Sequence, residues 1–341
     1  MKKRHFTIPV FIPEAACPNR CVFCNQHSIS GATNAPSVEE VTGKIEAYLQ
    51  TIPSGTEVEV GFFGGNFTGI PEEMQQAYLQ SVQQYISAGR ISCIRISTRP
   101  DYINPEVLML LKKYHVTTIE LGAQSLDDEV LRLSGRGHTA EDVRSASLLI
   151  RTFGFELGLQ MMVGLPGDTL DKSMLTAKEI IRLGASSTRI YPTLVIKGTE
   201  LEHLYLQNKY QPLSLEGAIN IVAGLADLFV SHKVKILRIG LHPSEGLLDG
   251  SSLVAGPFHV AFGEMVYSRI WHQRLFHFLN NPFEDEFGRP GVFHITVAPG
   301  MKNAVTGYKA ANKQMLLLRY EKMVVSESNK YKDFECCVDI C

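Results

Sequence analysis

Residues 156–192, ELGLQMMVGLPGDTLDKSMLTAKEIIRLGASSTRIYP, hold one complete strand, helix and strand. ELGLQMMVGLPG is apolar and closes on Gly164, Pro166 and Gly167, as a strand meeting a turn does. TLDKSMLTAKEIIRLG places Asp171 in a first turn and apolar residues at helical spacing. STRIYP then returns to β-forming residues. The same cycle recurs outward, with FTIPVFI, EVEVGFFGG, CIRISTRP and TIELGAQS as strands. SVEEVTGKIEAYLQTI, PEEMQQAYLQSVQQYI, NPEVLMLLKKY and TAEDVRSASLLIRTF are the helices between them. Ser37 is the expected N-cap of the first, with Val38, Val41, Ile45, Tyr48 and Leu49 along one face. Repeated β then α over residues 6–240 predicts a parallel sheet, closed as a barrel or doubly wound.

A chain of 341 residues with 45% hydrophobic content can bury one large α/β barrel plus a smaller appendage. A net charge of -2 excludes a global positive field, so nucleic-acid contact must come from local patches. The start, MKKRHFTIPVFIPEAAC, is interrupted by Pro9 and Pro13 and does not read as a secretion signal. No stretch is long and apolar enough to span a bilayer. The expectation is a cytoplasmic protein without a membrane partner, in which thiols stay reduced and clustered cysteines bind metal.

In either architecture the active site lies at the carboxyl ends of the strands. Those ends carry Gly64-Gly65-Asn66, Ser97-Thr98-Arg99, Gln124-Ser125, Gly164-Leu165-Pro166-Gly167 and Tyr191-Pro192, and after the first strand comes CPNRCVFC, residues 17–24. Three thiolates so spaced suit iron or zinc. Zinc would take His27 as fourth ligand, but structural zinc loops sit in small domains that need stapling, and this loop precedes a self-sufficient barrel.

Cys17, Cys21, Phe23 and Cys24, followed by Gly64-Gly65 after the second strand, resemble the radical S-adenosylmethionine (SAM) enzymes. The resemblance implies a partial (β/α)6 TIM-type barrel, with three cysteines holding a 4Fe-4S cluster whose fourth iron takes SAM. STRPDYINPEVL, IELGAQSLDDEVLRLSGRGHTAEDV, MMVGLPGDTLD and RIYPTLVIKGTELEHLY are similar to the catalytic subunit of Elongator, which acts on wobble uridines of tRNA, and more distantly to the anaerobic coproporphyrinogen oxidases. By that likeness the backbone at Phe23 faces adenine, Gly64 and Gly65 meet the SAM amino group, and Asn66 stands where many relatives have an acid. Gln124 would bind ribose, Arg136 the SAM carboxylate, and Gly164 and Leu165 adenine; Gln160 stands near a second ribose position. Reduced cluster would cleave SAM to a 5′-deoxyadenosyl radical, with electrons from a donor such as flavodoxin or ferredoxin. Tyr191 is the first candidate to face substrate, with Lys197 and His138 behind it; His242 follows VKILRIGL, a further expected strand whose carboxyl end would face the active site. The acetyltransferase domain and amino-terminal tRNA-binding extension of Elongator have no counterpart here, so carboxymethyluridine formation by that route is not expected.

From about residue 241 to 341 a small α+β domain is expected, first as a cap over the barrel mouth. Its last part, FHITVAPGMKNAVTGYKAANKQMLLLRYEKMVVSES, weakly resembles a KH-type RNA-binding unit, with Gly307-Tyr308-Lys309-Ala310 as the turn and Lys302, Lys309 and Lys313 as local charge. In FECCVDIC, alternation sends Cys336 to a buried face with Phe334, Val338 and Ile340, and Cys337 and Cys341 to the other. An auxiliary cluster there would want a fourth ligand. Three functions follow: a radical SAM enzyme acting on RNA, one acting on a small molecule such as a tetrapyrrole, or a non-catalytic iron–sulfur protein.

Overall fold

Strand β1 (His5–Ile12) runs parallel to β2 (Glu57–Gly64), and the helix between them, α1 (Val38–Thr51), starts on a capping box. Glu40 N–H donates to the Ser37 hydroxyl, and Ser37 N–H donates to the Glu40 carboxylate at 2.7 Å. Such a cap contributes about 1 kcal/mol and fixes where the helix begins. Val41 and Ile45 are the buried residues of its apolar face. The structure, a computed structural model, describes residues 5–12, 21–25, 35–280 and 291–340.

The cycle repeats through α2 (Glu72–Ser87), β3 (Cys93–Thr98), α3 (Pro105–Lys113), β4 (Val116–Gln124), α4 (Asp128–Leu133), α5 (Ala140–Thr152), β5 (Glu156–Val163), α6 (Leu170–Arg182) and β6 (Ser187–Pro192). Side-chain caps at Asn104, Asp127, Thr139 and Thr169 start four of these helices. The sheet holds the six expected strands and extends by a seventh. After β7 (Val195–Ile196), α7 (Glu200–Leu206) and α8 (Leu215–Ser231), β8 (Lys235–Ile239) joins it, giving the order β1-β2-β3-β4-β5-β6-β8 with every pairing parallel. Among the described residues the edge strands β1 and β8 do not pair, and the sheet is a curled, open half-barrel.

Period-2 alternation gives each strand two faces. Ile8, Val60, Ile94, Ile119, Leu159 and Ile190 are all fully buried and belong to one core with the helices. The concave face is polar instead. It carries Glu59, Arg95, Ser97, Glu120, Gln160 and Arg189, whose side chains bond to one another. Gly158 makes room for this layer, because a methyl group there would stand 2.8 Å from Glu120 Cγ.

The expected cap is divided. Residues around α9 (Glu245–Leu248) and β9 (Leu253–Ala255), which pairs with β7, cover the mouth, where Leu247 packs on Leu194 and Ile196. The long α10 (Phe262–Asn280) packs on the outer side against α8. Beyond it the expected strand, two helices and strand are present as β10 (Val292–Val297), α11 (Lys302–Thr306), α12 (Ala311–Leu316) and β11 (Lys322–Glu327), with β10 and β11 parallel. Edge strand β12 (Cys336–Ile340) pairs antiparallel to β10, and here one expectation fails: Cys336 is exposed, as is Cys337. The strand begins only at Cys336, so alternation does not carry the burial of Phe334 forward into it.

Candidate active site

A cavity of about 640 Å³ opens at the carboxyl ends of the strands. Phe23, Cys24, Gly64, Gln124, Gln160, Tyr191 and His242 line it, so residues far apart in sequence meet on one surface. Gly65, Asn66, Arg136, Gly164 and Leu165 are not among the residues that line it. Cys17 and His27 lie outside the described residues.

The loop after β1 is seated by its backbone. Val22 N–H donates to Ser134 O at 3.0 Å, just past α4, and Val22 O accepts from Leu201 N–H at 2.7 Å, at the start of α7. Val22 and Phe23 pack on Val195, Leu201 and Tyr210. Asn25 Nδ2 donates to Lys197 O, which gives Lys197 a part in holding the loop through its carbonyl. Cys21 is buried, and Arg136 Nη1 approaches its Sγ at 3.2 Å while Nη2 donates to Gly122 O at 2.6 Å. The Arg136 Nε has no acceptor among the described residues.

Gln124 ends β4 at φ 65°, a left-handed backbone that a glutamine adopts only under constraint. Its buried Oε1 has no hydrogen-bond partner among the described residues, and a buried acceptor left so costs about 1–3 kcal/mol. Strain and an unmet acceptor on a cavity wall mark a place prepared for a ligand. Gln160 is different, because its amide donates to Glu120 Oε2 at 2.9 Å and to Ser97 Oγ.

Gly64 has φ 125°, and a methyl group on it would stand 2.0 Å from the Ile12 carbonyl oxygen. Gly65 N–H donates to that same oxygen. The glycines therefore let the ends of β1 and β2 approach closely. Gly64→Ala should cost at least about 1–3 kcal/mol in urea denaturation, and an unchanged midpoint would remove this packing role. The Asn66 Oδ1 accepts from Thr98 Oγ1 at 2.6 Å and from Arg99 N–H, which fixes the turn from below. Gly164 is locked as well: its N–H donates to Asp168, and its carbonyl accepts from Tyr210 at 2.6 Å.

Glu120, 1% exposed, binds Arg189 through both oxygens and Arg95 through one, while Arg95 also reaches Glu59 at 2.9 Å. Burial works against the Glu120 charge, but Arg189 and Arg95 outweigh it and hold the carboxyl below its ordinary value. Burial pushes the Tyr191 hydroxyl up, so it stays protonated. Burial and the charges of Arg136 and Arg99 pull His138 down to about 4, leaving a neutral imidazole whose Nε2 faces Ala123 O at 3.3 Å. His138 is buried and is not among the residues that line the cavity. Sequence reasoning missed Arg95, Glu120, Arg189 and Arg238. A charged residue in the middle of CIRIST, TIELGAQ and STRIYP was the available signal.

A curled parallel sheet with thiols and a strained glutamine at its mouth defines an α/β enzyme of the radical SAM type. Residues 12–180 match the Radical SAM superfamily and residues 185–272 the Radical_SAM C-terminal domain. The chain belongs to the radical SAM superfamily, whose members use a 4Fe-4S cluster and SAM, and these are its cofactors. It is 33% identical over 302 residues to the tRNA uridine(34) acetyltransferase of Methanocaldococcus jannaschii, covering 76% of this chain and 54% of that protein. Its likeness to the Methanocaldococcus infernus protein of the same name is 27%, over 76% and 55% of the two chains. The chain thus spans about half the length of these curated relatives. The solved structure of archaeal Methanocaldococcus infernus Elp3 with an N-terminal deletion has the same fold, with a TM-score of 0.64 at 23% identity over 81% of this chain and 64% of that one. Cofactor and residues fit: thiols suit iron, Cys24 and Phe23 face the cavity, and Gln124 offers an acceptor to a hydroxyl-bearing ligand.

Proposed function

We propose that this chain is a radical SAM enzyme acting on RNA, with tRNA as its substrate. The observation that carries the catalytic reading is Gln124, strained and with an unmet carbonyl, on the same cavity as Phe23, Cys24 and Tyr191. Cys17, Cys21 and Cys24 would hold the cluster. When bound and reduced, the cluster would supply the electron for reductive cleavage of SAM and so the radical chemistry applied to substrate.

The chain's own residues bind and orient. Gln124 accepts from the ribose, the Gly64-Gly65 turn and the Asn66 that supports it offer backbone to the amino group, and Arg136, whose Nε has no acceptor among the described residues while its Nη atoms face Cys21 and Gly122, serves the carboxylate. Phe23, Gly164 and Leu165 border the adenine, and Gln160, held by Glu120, sets the depth of the floor. Tyr191, kept protonated by burial, faces substrate. A reductant such as flavodoxin or ferredoxin is the required partner. RNA as substrate is supported by likeness to proteins named for tRNA uridine 34. No helix among the described residues is long and apolar enough to cross a membrane.

The test is deoxyadenosine release by the anaerobically reduced protein, with tRNA pools set against metabolite extracts. Stimulation by tRNA is expected; stimulation by a metabolite fraction alone would replace RNA with a small molecule. The contribution of residues 291–340 is tested separately. Lys302, Lys309 and Lys313 are exposed around the Gly307 turn, yet Gly307 is required internally, since a methyl group there would stand 2.7 Å from Asn312 N. If the turn holds RNA, Lys309→Glu with Lys313→Glu should weaken tRNA binding and lower the salt slope by roughly 0.7 per lost phosphate contact. Equal binding by parent and double variant would confine RNA contact to the barrel.

A further inference from the structure

The cavity wall has a charge imbalance. Arg189 and Arg238 line it, and no aspartate or glutamate does so among the described residues. Arg189 is neutralised from behind by Glu120, at 2.6 and 3.0 Å. Arg238 has no carboxylate within ion-pair distance among the described residues. Its guanidinium is instead pinned by its own strand end: Nε donates to Gly240 O at 3.0 Å and Nη2 to Leu241 O at 3.3 Å. Two neutral carbonyls fix the direction of the fork and leave its charge and Nη1 unmatched. A half-buried arginine so held is prepared for an anionic oxygen group.

Its position separates it from the SAM-binding residues. Those stand on the loop after β1, at the ends of β2, β4 and β5 and, for Arg136, between α4 and α5, whereas Arg238 is on β8, the last strand in the sheet order. Beside it the mouth is formed by Leu241, His242, Pro243 and Ser244, with Tyr191 on the neighbouring strand. His242 is exposed to the cavity mouth, its ring nitrogen near Pro243 O. We infer that Arg238, with His242 and Tyr191 beside it, binds a phosphate of the RNA nucleotide that enters the cavity, and so places that nucleotide against the SAM site. This rests on the RNA reading above.

The experiment compares uridine 5′-monophosphate with uridine as ligands of the reconstituted, SAM-loaded enzyme, in parent and Arg238→Met. The parent should prefer the monophosphate by roughly tenfold or more, and the variant should lose that preference while its SAM affinity stays within about twofold. Should Arg238→Met fail to load its cluster, the same comparison is read on Arg238→Gln. A preference that survives the substitution overturns the assignment. So does a variant that loses SAM affinity, because the anion served would then be the SAM carboxylate. If the parent binds tRNA but shows no preference for the monophosphate, the Arg238 site falls and the RNA reading stands. If tRNA neither binds nor stimulates, yet the preference is present and lost on substitution, the anion site stands and the RNA reading falls.

Discussion

Cys21→Ala protein, reconstituted anaerobically with iron and sulfide, is expected to carry no stable cluster and to release no deoxyadenosine. Cys21 is 5% exposed and lies in the seated loop beside Arg136 Nη1. Removing one of three thiolates leaves an iron of the cube without a protein ligand, and iron does not exchange thiolate for a methyl group. The fold itself should persist, because the apolar core between sheet and helices does not include Cys21. Iron analysis and the visible absorption of the cluster check the first half, and far-ultraviolet circular dichroism checks the second. Stoichiometric iron in the variant, or stoichiometric zinc without iron in the parent, would overturn the ligand assignment.

The second large effect is on stability. Glu120→Gln should cost about 3–5 kcal/mol, because it strips Arg189 of its bidentate partner and Arg95 of one of two carboxylates in a place that water scarcely reaches. The pH dependence gives the same group a signature. Its carboxyl is held below the ordinary value in the fold, so its contribution is complete above the unfolded carboxylate range near pH 4.3 and is lost as pH falls through the lower folded value. The variant should therefore show a flatter acid limb in denaturation midpoints. A loss under about 1 kcal/mol would mean that the arginines find other partners.

The alternation of strands and helices was legible because each carries its own period, and the cap at Ser37 falls where the sequence places it. The residues grouped on the cavity were legible for a different reason: glycines and polar residues at strand ends have few other causes. Arg136 and Asn66 could be named but not placed. Nothing local shows that Asn66 turns back to Thr98 and Arg99, or that Arg136 crosses to Cys21 and Gly122. Arg95, Glu120 and Arg189 stand on three different strands, and their pairing exists only once the sheet has curled. The sixth and seventh sheet strands are separated by β7 and two helices, so β8 was legible as the strand VKILRIGL but not as part of a simple strand–helix cycle.

The backbone clamp on Val22 sets an order of events during synthesis. Its two partners belong to Ser134 and Leu201, so the loop that carries Cys21 and Cys24 leaves the ribosome long before its seat exists. At roughly 5–20 residues per second, the wait for residue 201 is on the order of 10–40 s. A nascent chain thus displays its thiols with nothing to position them, and iron delivered in that interval meets an unshaped peptide. Stable cluster assembly therefore belongs after the α7 segment has emerged and docked. Substitutions around Leu201 and Tyr210 would then be felt first as poor iron content in freshly made protein, before any change in the melting of the finished chain.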